Sequence, residues 1–177
     1  MELEKHSVRT FDELKAENEF LFKDRDPQGH KCPFGSHVRR ANPRDGLNPE
    51  HEKSLEVTQR HRILRRGRAY EEKKDKKIKQ GTFFMCLNAD IDRQFELLQQ
   101  TWLMSSKFHG LRAETDPVAG QGITKTTLNT SKFTIQTPQG DIQIPCVSNF
   151  VQVKAGGYFF LPGKETLQFL GALHLSR

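Results

Sequence analysis

Apolar side chains recur at Ile91, Phe95, Leu98 and Trp102. Steps of this size place all of them on one face of a helix, and Asp90 stands where a cap would bind the first free N–H groups. Upstream, Phe83-Phe84-Met85-Cys86-Leu87 is an unbroken apolar run with the character of a strand buried on both faces. Residues 61–70 read as a second strand, and the charged stretch 71–80 joins the two as a variable loop. Further on, Phe133-Thr134-Ile135-Gln136-Thr137 and Ile142-Gln143-Ile144 alternate around Pro138-Gln139-Gly140 as a hairpin does, within an excursion from the core that spans 111–148. Val151-Gln152-Val153 and Tyr158-Phe159-Phe160-Leu161 predict a closing strand pair, and Pro162-Gly163 breaks into a short helix over residues 165–173.

The start of the chain reads less clearly. Phe11, Leu14, Phe20 and Phe22 give a weak helical pattern that fades before Asp24-Arg25-Asp26-Pro27, so residues 1–23 form an N-terminal segment apart from a main domain at 24–177. From Asp24 to Glu50 the density of Pro, Gly, Asn and Asp marks irregular structure, and so long a loop inside a domain usually serves function. Strand, strand, helix, strand without parallel crossovers predicts an α+β fold, an antiparallel sheet with helices on one face.

Composition narrows the picture. At 177 residues the chain has room for one domain, and a mean hydropathy of −0.71 with 13 Phe predicts a real core carrying long polar loops. No run is apolar enough to span a membrane, and Met1-Glu2-Leu3-Glu4-Lys5-His6 lacks the basic-then-apolar order of a secretory signal, so a cytoplasmic location is expected. Cys32, Cys86 and Cys146, odd in number and widely spaced, read as thiols. The net charge of +6 comes largely from Arg60 to Arg68 and from Lys73, Lys74, Lys76, Lys77 and Lys79. Glu71, Glu72 and Asp75 interrupt the lysines, which reads as a solvated run. A nucleic-acid binder is disfavoured, since no aromatics are interleaved for base stacking.

The chemistry concentrates before residue 70. His37 lies between Phe34 and the basic cluster Arg39, Arg40 and Arg44. Imidazole is the commonest protein ligand of haem iron, and arginines suit a cofactor bearing propionates. A zinc reading competes, with His30, Cys32 and His37 joined by Cys86, His51 or His61. In Ile63-Leu64-Arg65-Arg66-Gly67, alternation places Arg65 on the side of Ile63, where a guanidinium needs an anionic or strongly polar partner.

The blocks Cys32-Pro33-Phe34-Gly35-Ser36-His37-Val38-Arg39-Arg40-Ala41-Asn42-Pro43-Arg44, Ile63 to Gly67, Leu87-Asn88-Ala89-Asp90-Ile91 and Gly156-Gly157-Tyr158-Phe159-Phe160-Leu161-Pro162-Gly163 stand in the order seen in DyP-type (dye-decolourising) haem peroxidases. The chain resembles the C-terminal portion of that family. The resemblance implies haem b as cofactor, His37 as the iron ligand, Arg65 as the distal arginine with Arg66 as the alternative, Arg40 and Phe84 beside the cofactor, and Asp90 as the carboxylate behind the histidine. It also implies hydrogen peroxide and a reducing substrate as reactants. The family's Gly-x-x-Asp-Gly motif is absent from this sequence: Gly140-Asp141 and Arg44-Asp45-Gly46 have other surroundings. The implied fold is ferredoxin-like but incomplete, lacking the N-terminal domain and the second domain's first strand. On that reading the chain is a truncated peroxidase, weak or inactive alone, that self-associates or pairs with a separate N-terminal half. The alternative is an inactive haem- or partner-binding module.

Overall fold

The computed structural model describes residues 10–48, 50–74, 77–114, 116–120, 132–145, 147 and 150–174. Four short helices come first: α1 (Phe11–Asn18), α2 (Phe22–Arg25), α3 (His37–Ala41) and α4 (Ser54–Arg60). None reaches the length at which a helix is stable alone, so each depends on tertiary ties. The carboxylate of Asp45 supplies one, accepting the Phe22 backbone N–H at 2.8 Å and that of Lys23 at 3.3 Å, which satisfies donors at the start of α2.

The strand regions are longer than expected. β1 (Leu64–Lys74) and β2 (Lys77–Leu87) pair antiparallel from Leu64↔Leu87 outward, so most of the charged stretch 71–80 belongs to the strands. Glu72 stands opposite Lys79, and the Gln80 amide donates to Glu71 at 3.1 Å, so cross-strand polar pairing holds the ribbon where apolar contact stops. A second hairpin joins β3 (Lys132–Ile135) and β4 (Ile142–Pro145). Gly140, at φ +118, takes the turn between them that the sequence predicts there. This hairpin is tied to the start of α3, because the Gln136 side chain accepts the Phe34 N–H at 3.0 Å.

The helix expected after Asp90 is present as two consecutive segments, Asp92–Glu96 and Leu98–Leu103. Its coil is wider than an α-helix: the Glu96 N–H reaches the Ile91 carbonyl and the Met104 N–H the Gln99 carbonyl, five residues back in each case. Leu98 and Trp102 pack with Phe108 as a buried cluster, flanked by Ala41, Leu47, Ile63 and Leu97. Each such side chain contributes roughly 1.5–3 kcal/mol by leaving water.

Residues 150–163 carry no strand, which corrects the expected closing pair. Val151, Val153 and Tyr158 to Leu161 are exposed, and none of these residues has a hydrogen-bonded strand neighbour. The final helix, α5 (Lys164–His174), lies where the sequence places it. The architecture is α+β, with two two-stranded antiparallel sheets among the described residues. No helix among them is long and apolar enough to cross a membrane.

Candidate functional site

The hydroxyl of Ser36 accepts from the Arg39 N–H and caps α3, so His37 opens a helix instead of lying in a loop. The imidazole is 38% exposed, and its Nδ1 lies 3.0 Å from both carboxylate oxygens of Asp116, whose side chain is 0% exposed. Asp116 is fixed in turn. Its Oδ1 accepts the backbone N–H of Val118 at 2.8 Å and of Ala119 at 2.6 Å, an Asx turn over Asp116-Pro117. Burial pushes this carboxyl upward, but the His37 bond and the two backbone donors outweigh it and hold Asp116 below the ordinary carboxylate range. A charged acceptor at Nδ1 selects the Nδ1–H tautomer, which leaves the Nε2 lone pair pointing away from Asp116.

A single oriented imidazole could serve as one donor to a metal. A histidine whose Nδ1–H is held by a carboxylate is the usual form of an imidazole ligand. The zinc grouping of His30, Cys32 and His37 does not assemble: among the described residues no three His, Cys, Asp or Glu side chains gather to hold an ion. The Cys32 sulfur instead lies 3.0 Å from the Ser36 hydroxyl. A single protein imidazole would suffice for a metal held mostly by a prosthetic group, such as haem iron, and His37 is the residue that would hold it.

The expected arginines divide. Arg39, 1% exposed, pairs with Asp26 at 3.1 Å and donates to the carbonyls of Asp26 and Cys32. Arg40 is 0% exposed, donates to main-chain carbonyls and lies 5.1 Å from the Phe108 ring. Arg44 lies over the Phe20 ring at 4.0 Å. Arg65 stands on the hairpin opposite Cys86, and the neighbouring pair Gly67↔Phe84 shares its face. Side chains of a ladder alternate, so Arg65 and Phe84 project together while Arg66 projects to the opposite side. Both Arg65 and Phe84 are exposed, and the Phe84 ring leans toward Phe95 at 6.4 Å. Asp90 is on the surface, where Oδ1 accepts the Arg93 N–H at 3.0 Å: it caps the wide helix, while the carboxylate at His37 is Asp116. The sequence signal for Asp116 is the Asp-Pro turn alone.

No family model matches the chain. It is 31% identical over 88% of its length to the multifunctional dye peroxidase DyP2 of Amycolatopsis sp., covering 35% of that protein. With the dye-decolorizing peroxidase msp1 of Mycetinis scorodonius it shares 24% identity over 85% of its length and 32% of the relative. The solved structure of a DyP-type peroxidase from Anabaena sp. superposes on 73% of this chain and 27% of that one, with a TM-score of 0.56 and 27% identity. The chain thus spans about a third of the length of the curated relatives it matches, and the resemblance carried by its motifs is borne out.

Proposed function

From the likeness to DyP-type peroxidases, we propose that this chain is the haem-holding portion of a peroxidase, with His37 as the iron ligand. The observation that supports it most is the buried Asp116 carboxylate on Nδ1 of a half-exposed imidazole. Haem b, when bound, supplies an iron centre that accepts oxidising equivalents from hydrogen peroxide and passes them to a reducing substrate. Asp116 would fix the ring orientation and raise the basicity of Nε2. Arg65, exposed beside Phe84, would direct its guanidinium donors to the developing charge on a peroxide oxygen, and Arg66, on the other face, would not. The acid that would shuttle the peroxide proton has no counterpart in this chain's motifs, which favours haem holding over complete turnover by these residues alone. Cys32 and Cys86, both free thiols, fit a reducing compartment such as the cytoplasm.

A second reading, a haem- or partner-binding module without catalysis, draws on the apolar surface of the β1–β2 hairpin, where Leu64, Phe83, Phe84, Met85 and Leu87 are exposed. A second copy of the chain, or a polypeptide equivalent to the remainder of its relatives, would cover it.

Hemin titration followed by absorption tests the main reading. The expected result is a sharp Soret band that His37→Ala abolishes and that Asp116→Asn weakens by about 10- to 100-fold in affinity. A band indifferent to His37→Ala would overturn the ligand assignment. Robust hydrogen peroxide turnover by the chain alone would overturn the division between holding and turnover.

A further inference from the structure

We propose that Arg40 is the positioning residue of the His37–Asp116 pair, a buried guanidinium that clamps the helix bearing the histidine to the segment bearing the carboxylate. The inference rests on reading His37 and Asp116 as the working pair, but its test needs no haem. Arg40 lies on α3, three residues after His37, with no exposed surface. Its Nε donates to the Gly35 carbonyl at 3.1 Å, beside the start of the helix. Nη1 reaches the carbonyls of Trp102 at 2.9 Å, Leu103 at 3.3 Å and Ser105 at 2.8 Å, and Nη2 that of Glu114 at 3.2 Å. Those carbonyls belong to three separate stretches of chain, and two of them flank the pair: Gly35 precedes His37 by two residues, and Glu114 precedes Asp116 by two.

The clamp also meets Asp116 directly through a shared acceptor. The Leu103 carbonyl that receives Arg40 receives the Asp116 backbone N–H as well, at 3.2 Å. The stretches are pressed together at this point. A Cβ at Gly35, two residues before α3, would come within 2.9 Å of the Glu114 carboxylate and 3.3 Å of the Phe133 ring, so a larger residue there would have to displace that carboxylate. The Glu114 carboxylate in turn accepts both the backbone N–H and the hydroxyl of Thr134, which anchors the segment from the other side. Among the described residues no carboxylate forms an ion pair with Arg40. Burial disfavours this cation; main-chain carbonyls accept its hydrogen bonds, and the Phe108 ring and the nearby charges of Asp116 and Glu114 favour it, so the geometry of these stretches and the charge sustain each other. Arg39 is the internal control: equally buried, it ties α3 to residues 26–32 and lies over the Phe22 and Phe34 rings, and among the described residues none of its hydrogen bonds goes to the segment bearing Asp116.

The test reads the tautomer of His37 in uniformly 15N-labelled protein at about pH 8, above the ordinary imidazole range. The expected wild-type signature is a single Nδ1–H tautomer. Arg40→Lys, which replaces the fork with one point donor, is expected to give a mixture of tautomers while circular dichroism stays folded, and Arg39→Lys to leave the signature intact. A folded Arg40→Lys protein with the wild-type signature, or equal changes in both variants, would overturn the proposal. Should Arg40→Lys not fold, Phe108→Leu removes the ring lying 5.1 Å from the guanidinium and leaves its donors. Amide exchange at Asp116 should then quicken by about tenfold while that at Lys31 and Cys32, held by Asp26, is unchanged. Uniform quickening, or none, counts against the clamp. Loss of hemin binding with the tautomer intact would instead strike the ligand reading and leave Arg40's role standing.

Discussion

The surroundings of α3 and the β1–β2 hairpin invert the usual distribution of side chains in opposite senses. Around α3 the interior is polar: Asp26, Arg39, Arg40, Asp45, Glu114, Asp116 and Thr134 are buried and bonded to one another or to backbone. Along the hairpin the exterior is apolar, with Leu64, Phe83, Phe84, Met85 and Leu87 open to solvent. The first region finds most of its partners within the chain, Arg39 Nε being a buried donor left without one, and it holds the imidazole. The second leaves its apolar surface without cover among the described residues. Geometric precision in this protein is therefore set by buried hydrogen bonds more than by apolar volume.

The sharpest way to break that contrast is to unpair a charge beside α3. Arg39→Leu strands the Asp26 carboxylate, which is itself nearly buried, and should cost about 3–5 kcal/mol in urea unfolding. A loss below ~1 kcal/mol would mean that the polar interior is not what holds α3. Leu98→Ala, in the small apolar cluster, should cost roughly 2–5 kcal/mol. Because the cluster touches α3 through Ala41, the same variant should shift the His37 signals. On the hairpin the expectation reverses: Phe83→Thr should change stability by less than about 0.5 kcal/mol and make the protein more monodisperse in sedimentation. A large destabilisation there would show that the hairpin face is covered after all.

The smallest effect is pH-dependent. Burial, with the Arg39 charge adding to it, pushes His109 below its ordinary range. The folded state thus binds the proton less readily than the unfolded one. Its contribution is full above the unfolded value of about 6.5 and is lost as pH falls toward the depressed folded value. His109→Asn keeps a residue tolerant of the φ of +54 found there and should flatten the stability curve across that window. A curve that keeps its slope would place the dependence on another group.

How far the sequence foretold these regions follows the same division. The helix after Asp90, the hairpin around Gly140 and the final helix were legible because local periodicity or turn chemistry defines them. α4 was not, since Ser-Leu-Glu-Val-Thr-Gln-Arg carries little apolar pattern. The charged run at 71–80 hid two strand ends because its pairing lies across the ribbon, Glu72 to Lys79, and not along it. Residues 151–161 alternate like a strand, yet among the described residues they pair with neither hairpin, although both two-stranded sheets leave their outer edges open. The expected loop at 71–80 includes Asp75 and Lys76, and the sequence makes Cys146 a thiol; all three lie outside the described residues. At the site His37 was legible through its motif. Asp116 was hidden in a turn, where an aspartate before proline is ordinary.

The separation of His37 from Asp116 sets the order in which the protein can acquire its chemistry. Their contact closes a loop of 79 residues, and that of Phe34 with Gln136 one of 102. Closing such loops adds only slowly growing entropy with length, but nothing rewards it until both ends have formed. During synthesis α3 emerges long before the segment that completes it. The imidazole is therefore an unoriented side chain for most of the chain's birth, and its pairing with Asp116 arrives late, as a property of the nearly finished fold.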